Sequence, residues 1–216
     1  MRRWMLKRVA IIAAALFAVL LLVVATRPAH LHIERSLSMA APPSVVFPLI
    51  DDFHAWQSWS PWEKLDPNMK REITGAPSGN GSLYSWVGND DVGSGTMQIT
   101  DSRAPEQVKI RLEFKQPWAA TNTTTFTLAP TSSPAGGTRV TWSMDGENSF
   151  GAKAMGLVMN MDQMVGKDFE SGLTNLQAVA EGAAEAQRAA LAKPPEAANV
   201  PAAVGEASAG SAASAH

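Results

Sequence analysis

Between residues 107 and 115 apolar and charged side chains alternate without a fault. Val108, Ile110, Leu112 and Phe114 stand against Lys109, Arg111, Glu113 and Lys115. Successive side chains of a strand point to opposite faces, so this stretch has one dry and one wet face. A sheet built from such strands is antiparallel and covered on one side. Five more strands are expected nearby, at 69–74, 82–87, 95–102, 120–128 and 139–145. Gly88-Asn89-Asp90-Asp91 makes the hairpin turn between the second and third of these. Gly93-x-Gly95 lacks a third glycine and a following helix, so it reads as a strand-start bulge and not a dinucleotide cradle.

The period changes after Gly151. Val158, Val165, Phe169, Leu173, Leu176 and Val179 recur at spacings of three, four and seven, which predicts an amphipathic helix. Ala-rich sequence favours its continuation through 183–192, until Pro194-Pro195 ends it. A further strand is expected at 31–39. A short helix at 45–50 follows, with Ser44 as N-cap and Pro48 tolerated in its first turn. Strands segregated from one long terminal helix make an α+β domain. A curved antiparallel sheet of about seven strands wrapped on that helix leaves a space at its open end, and such a space is a pocket.

Trp56, Trp59 and Trp62 crowd the segment after the short helix, and Pro61 and Pro67 bracket the last of them. The segment reads as rigid and mostly non-helical. Its indoles either wall a ligand cavity or plug the end of the core, and the sequence leaves both open.

The N-terminus sets the compartment. Arg2, Arg3, Lys7 and Arg8 precede an unbroken apolar run over 9–25, and Arg27 follows it. As a helix the run spans about 26 Å, the short end of the membrane-crossing range. The basic excess before it places the N-terminus in the cytoplasm and the domain outside, in a single pass of the inner membrane. A cleaved secretory signal is the alternative, and it exports the domain equally. The division expected is an anchor or signal at 1–27, a domain at 28–185 and an Ala/Pro-rich disordered tail at 186–216. The net charge of −2 argues against nucleic acid as a partner. The chain has no cysteine, which excludes disulfides, thiolate metal sites and thiol nucleophiles.

Three blocks together resemble a known superfamily. They are Phe53…Trp56…Trp59-Ser-Pro-Trp-Glu63 with Asp66-Pro67; Gly79-Asn-Gly81…Tyr84-Ser-Trp86…Gly88-Asn89 with Gly93-Ser-Gly95-Thr-Met97; and Met159-Asn-Met-Asp162…Gly166-Lys-Asp-Phe-Glu170…Leu176. The chain is similar over 31–179 to the SRPBCC superfamily, the START-related helix-grip proteins, and most to its membrane-anchored bacterial polyketide cyclase/dehydrase-like members. The resemblance implies the helix-grip fold and a cavity for a hydrophobic ligand. It implies no particular reaction.

The chemistry-bearing residues are sparse. There is no Gly-x-Ser-x-Gly nucleophile elbow. His54, beside Phe53 and Trp56, reads as a packed or rim residue and not a base, because a base needs a positioned partner. His30-x-His32 is set aside as adventitious, so neither metal nor cofactor is expected. Asp162 lies on the apolar stripe: it is either a pocket carboxylate with a raised pKa or an N-cap. Glu63 and Asp66 either satisfy backbone of the Trp loop or sit at the cavity mouth. Met155, Met159, Met161 and Met164 form an adaptable wall or ordinary core filler. The candidate cavity residues are therefore Trp56, Trp59, Trp62, Glu63, Tyr84, Trp86, Trp142, Met144, Met155, Met159 and Asp162.

The expected function is an exported, membrane-anchored module binding a hydrophobic or lipid-like small molecule between sheet and helix. The alternatives are a cyclase- or dehydratase-like enzyme using the same cavity, and a structural envelope module with a filled core. No protein partner follows from the sequence.

Overall fold

The computed structural model describes residues 2–116, 118–132 and 136–192. It begins with helix α1 (Arg2–Ala25), strand β1 (His30–Met39) and helix α2 (Pro43–Asp51). Two 3-10 segments follow, Phe53–Ser58 and Pro61–Lys64. Then come β2 (Lys70–Gly75), β3 (Ser82–Val87), β4 (Ser94–Arg103), β5 (Gln107–Gln116), β6 (Ala120–Pro130) and β7 (Thr138–Glu147). Helices α3 (Phe150–Met155) and α4 (Met161–Ala192) close the described chain.

All seven strands join one antiparallel sheet in the order β1-β7-β6-β5-β4-β3-β2. The alternation read in the sequence sets its faces. Val108 and Ile110 of β5, and Val140, Trp142 and Met144 of β7, are buried. A register shift between Ser94 and Gly95 is the bulge expected there. The ladder pairs His30 with Glu147, Gly146 with Asn122, and Ala120 with Phe114. The start of β1, the end of β7 and the β5–β6 turn therefore share one edge of the sheet.

The terminal helix departs from the expected pattern at its start and follows the Ala-rich run to Ala192 at its far end. It is two helices, because residues 156–160 leave the helical path between α3 and α4. Ser149 Oγ accepts from Ala152 N at 3.2 Å to start α3. Asn160 Oδ1 accepts from Gln163 N at 3.1 Å at the start of α4. Val158, expected on the buried stripe, is 82% exposed in the connection. Phe169, Leu173 and Leu176 carry the stripe into the core. Residues 186–192, assigned to the tail, continue α4; 193–216 lie outside the described residues.

Two local expectations near α2 also change. Ser44 is not its cap: Pro42 holds that position without a side-chain bond, and Pro43 takes the first turn. Pro48 lies inside the helix, beyond its first turn. The Trp stretch is wound into 3-10 turns, with Asp52 Oδ1 accepting from His54 N at 2.8 Å.

These turns decide what fills the sheet. Helix α4 packs along β1, α2 against β6 and α4, and the 3-10 segments against α2 and α4, with their indoles meeting Phe126 of β6 and Trp142 of β7. Two indoles of the Trp stretch are tied to α2. Trp56 Nε1 donates to Ile50 O at 2.9 Å, and Trp59 Nε1 donates to Leu49 O at 2.8 Å. A burial of this size, hydrogen-bonded at the polar tip, is what lets Trp enter a core without leaving a bare N–H.

Candidate functional site

The space between sheet and helix is occupied by the chain's own aromatics. Trp142 stacks on Phe169 at 4.1 Å between centroids and 9° between planes, and lies 4.7 Å from Phe126. Trp59 meets Trp142 at 5.9 Å and Trp56 at 4.7 Å. Phe53 continues the series to Trp56 at 5.4 Å and Tyr84 at 5.7 Å. Of the expected wall residues, Trp56, Trp59, Tyr84, Trp86, Trp142 and Met144 are buried in this cluster, and Trp62 packs against it half-buried. The structure brings these together as contacts with one another. Gly172 permits this, because a Cβ there would fall 2.7 Å from Trp142 Cζ3.

Glu63 and Tyr84 meet at one end of this cluster, but in a closed polar group. Tyr84 O–H donates to Glu63 Oε1 at 2.8 Å, and Arg71 Nη2 lies 2.7 Å from Glu63 Oε2. The Glu63 side chain is 7% exposed. Burial, then the Glu63 carboxylate, pushes the Tyr84 hydroxyl well above its ordinary value. Through the Arg71–Glu63 ion pair and the Tyr84–Glu63 hydrogen bond, the group braces β2 and β3 to the Trp loop. It is neither the loop's backbone partner nor a cavity mouth. Asp66 is that backbone partner: its carboxylate accepts from Asn68 N and Asn89 N at 2.9 and 2.8 Å.

Asp162 is neither of the things expected of it. The N-cap side chain is Asn160, and the Asp162 carboxylate points at β1. Arg35 donates to both of its oxygens, Nη1 to Oδ1 at 3.2 Å and Nη2 to Oδ2 at 3.1 Å. Arg35 Nε donates to Glu170 at 2.8 Å. The guanidinium holds Asp162 below the usual carboxylate range, the reverse of a pocket acid. Arg35 and Arg71 were both missed, yet each left a signal. Arg35 stands in the inward series Leu31, Ile33, Leu37, Met39, and Arg71 shares a face with Ile73. A charge on an apolar face calls for a fixed counter-ion.

Two hollows lie elsewhere, at the α3–α4 connection. The larger is about 490 Å³ and open to solvent. It runs from Arg27, Pro28 and the first residues of β1 to Asn148, Lys153 and residues 156–161. That volume falls in the range of small-molecule sites. Arg27 and Lys153 bring positive charge, while Leu31, Leu157, Val158 and Met159 bring apolar surface; no carboxylate lines it. A second hollow of about 400 Å³ adjoins it, lined by Met159, Asn160, Gln163, Met164, Lys167 and Asp168. Burial raises the Asp168 carboxyl, partly opposed by the Trp62 N–H. Of the methionine row, Met159, Met161 and Met164 border these hollows; Met159 and Met164 are exposed, and Met155 is half-buried. His54 is an exposed partner of Asp52 at 2.7 Å.

The larger hollow is built onto the end of α1. Val24 is 2% exposed, and α1 contacts α3. Asn148 N donates to Ala29 O at 2.6 Å. The stretch Arg3–Ala25 is long and apolar enough to cross a membrane, by length and composition.

Residues 30–181 match the family described as polyketide cyclase / dehydrase and lipid transport. The chain belongs to this family. With it comes membership of the SRPBCC helix-grip superfamily, whose seven-stranded sheet and long C-terminal helix are those seen here. Among solved structures, it is similar to protein CV1439 from Chromobacterium violaceum, at 16% identity and TM-score 0.50, over 72% of this chain and 99% of that one. It is also similar to XoxI from Bacillus cereus, at 15% identity and TM-score 0.48, over 69% and 94%. Protein Ms6760 from Mycobacterium smegmatis has 19% identity and TM-score 0.47, over 71% and 92%. No curated protein matches this chain. Fold and family support a small-molecule binding or transport role of the SRPBCC type.

Proposed function

We propose that this family member is anchored by α1 in the inner membrane with its domain outside the cytoplasm, and that it takes an anionic amphipathic small molecule, fatty-acid-like, from the bilayer face. The observation that carries this reading is the position of the larger hollow. It opens where the chain leaves the apolar helix, with Arg27 and Lys153 beside exposed Val158 and Met159. A cationic rim over apolar surface suits a carboxylate head and an alkyl tail. The same edge presents Trp118 at 68% exposure and Phe150 at 53%. Aromatic side chains of that kind favour the membrane–water interface. The aromatic interior, filled by its own rings, favours a site at this hollow over one between sheet and helix.

The test is a photoactivatable fatty acid given to the full chain in nanodiscs. Crosslinks are expected within 148–161, reduced several-fold by Arg27→Ala with Lys153→Ala. Crosslinks on the peptide bearing Trp56 and Trp59 instead would return the site to the interior. Absence of any crosslink would sink the binding reading.

A further inference from the structure

At this same end of the sheet His30 and His32, which also line the larger hollow, meet Asp145 in a group whose chemistry the fatty-acid reading does not use. His30 and His32 are two apart on β1, so both imidazoles project from one face. Cross-strand pairing sets Asp145 of β7 opposite His32. Asp145 Oδ1 lies 2.7 Å from His32 Nδ1 and 3.4 Å from His30 Nε2. One ligand atom from each residue lies within 4.8 Å of the other two. The two rings are nearly parallel, 14° apart with centroids at 6.5 Å.

We propose that His30, His32 and Asp145 form a binding site for a divalent transition-metal ion of the zinc type, held by two imidazoles and one carboxylate. Ligands placed about 2.0–2.1 Å from a tetrahedral ion are about 3.4 Å apart. The His30–Asp145 separation already has that value. His32 has only to exchange its hydrogen bond to Asp145 for the ion, a displacement within reach of a partly exposed side chain. The three α-carbons are fixed by consecutive ladder pairs of β1 and β7, so the backbone is preorganised. Glu34 follows on the same face, its Oε2 4.0 Å from His32 Nε2. It brings a second negative charge to the side of the ring away from the ion, without a hydrogen bond to it. Imidazole nitrogen with a single carboxylate selects zinc, nickel and copper over magnesium and calcium. Three protein ligands leave one coordination position open to solvent.

The experiment uses the full, tag-free chain in detergent, stripped with chelator and titrated with ZnCl2 by calorimetry. One ion per chain is expected, at micromolar or tighter affinity and undisturbed by millimolar Mg2+. His30→Ala, His32→Ala and Asp145→Asn are each expected to weaken zinc at least tenfold. His54→Ala, which removes another exposed imidazole–carboxylate pair, is expected to leave it unchanged. Circular dichroism and Tm of each variant without metal separate loss of the site from loss of fold. A second readout is the imidazole NMR spectrum, where zinc should shift His30 and His32 and spare His54. Binding weaker than micromolar, or binding lowered equally by His54→Ala, would mean an adventitious ion only and overturn the proposal. His30 and His32 also line the larger hollow, so the two readings are told apart by their readouts: zinc affinity and imidazole shifts here, and there crosslinks within 148–161 with their loss on Arg27→Ala with Lys153→Ala.

Discussion

The guanidinium of Arg35 occupies the volume that a side chain at residue 166 would need. A Cβ on Gly166 would overlap Arg35 Nη2, Cζ and Nε, so the glycine is what lets β1 reach α4 with a charged group. The clamp to Asp162 and Glu170 depends on that vacancy. Gly182, in the same helix, has nothing within 4 Å of its Cβ position. Two alanines should therefore act in opposite directions. Gly182→Ala is expected to stabilise by about 0.5–1 kcal/mol through helix propensity. Gly166→Ala is expected to destabilise by about 1–3 kcal/mol, the usual range for overpacking, despite the same propensity gain. Urea denaturation of the two variants decides it. Two stabilised proteins would show that the clamp gives way freely.

Two carboxylates of α4 should give opposite pH dependences. Asp162 is held below its ordinary 3.8 by Arg35, so the native state binds its proton less readily than the unfolded chain does. Its contribution is present above 3.8 and is lost as pH falls through the lower native value. Asp168 is raised above 3.8 by burial, so ionising it weakens the native state as pH rises past that value. Asp162→Asn should lower Tm at pH 7 and converge on wild type in acid. Asp168→Asn should raise Tm at pH 7 and also converge in acid. Equal signs at pH 7 would show that one environment has been misread.

The aromatic core contains one indole whose N–H goes unmet. Trp142 Nε1 is buried without a hydrogen-bond partner, whereas Trp59 Nε1 donates to Leu49 O. Tryptophan to phenylalanine removes similar apolar area at both sites. At Trp59 it also removes a bond and strands a carbonyl, and at Trp142 it removes an unsatisfied donor. Trp142→Phe is therefore expected to cost about 1 kcal/mol less than Trp59→Phe. Chemical denaturation of both checks this, and a greater loss at Trp142 would point to a stacking contribution from Phe169 that outweighs the polar term.

The strands were legible because a covered sheet writes a period of two into the chain. Val108 and Ile110, or Trp142 and Met144, announce their face without knowledge of what lies opposite. The site was less legible for the same reason. Asp162 does sit one heptad before Phe169, on the stripe, but beyond the apolar part of the sheet its neighbour is Arg35. Periodicity gives a face and not its partner. The three indoles of the Trp loop pose the same problem in a segment with no regular period. Only the bonds of Trp56 and Trp59 to α2 carbonyls reveal that the loop folds inward and fills the sheet. The two arginines on apolar faces were the readable clue, since each demanded a carboxylate nearby.

The membrane-facing reading makes a distance prediction along α4. The helix has 32 residues, about 48 Å at 1.5 Å per residue. Val158 and Leu191, each 82% exposed, lie just before its start and at its far end. If the α3–α4 connection rests on the bilayer, only the first of them meets lipid. A bimane label on Val158→Cys in nanodiscs should be quenched by brominated lipid, and the same label on Leu191→Cys should not. The chain has no native cysteine, so each label is unique. Both sites are exposed, so neither label should disturb the fold, and matching Tm values verify that. Trp118→Phe should in turn reduce the quenching of intrinsic fluorescence by the same lipid, because the other indoles of the domain are buried or half-buried, and Trp4 within α1 supplies the remaining quenched signal. Equal quenching at 158 and 191, or none at 158, would detach the hollow from the bilayer and leave its ligand to come from solution.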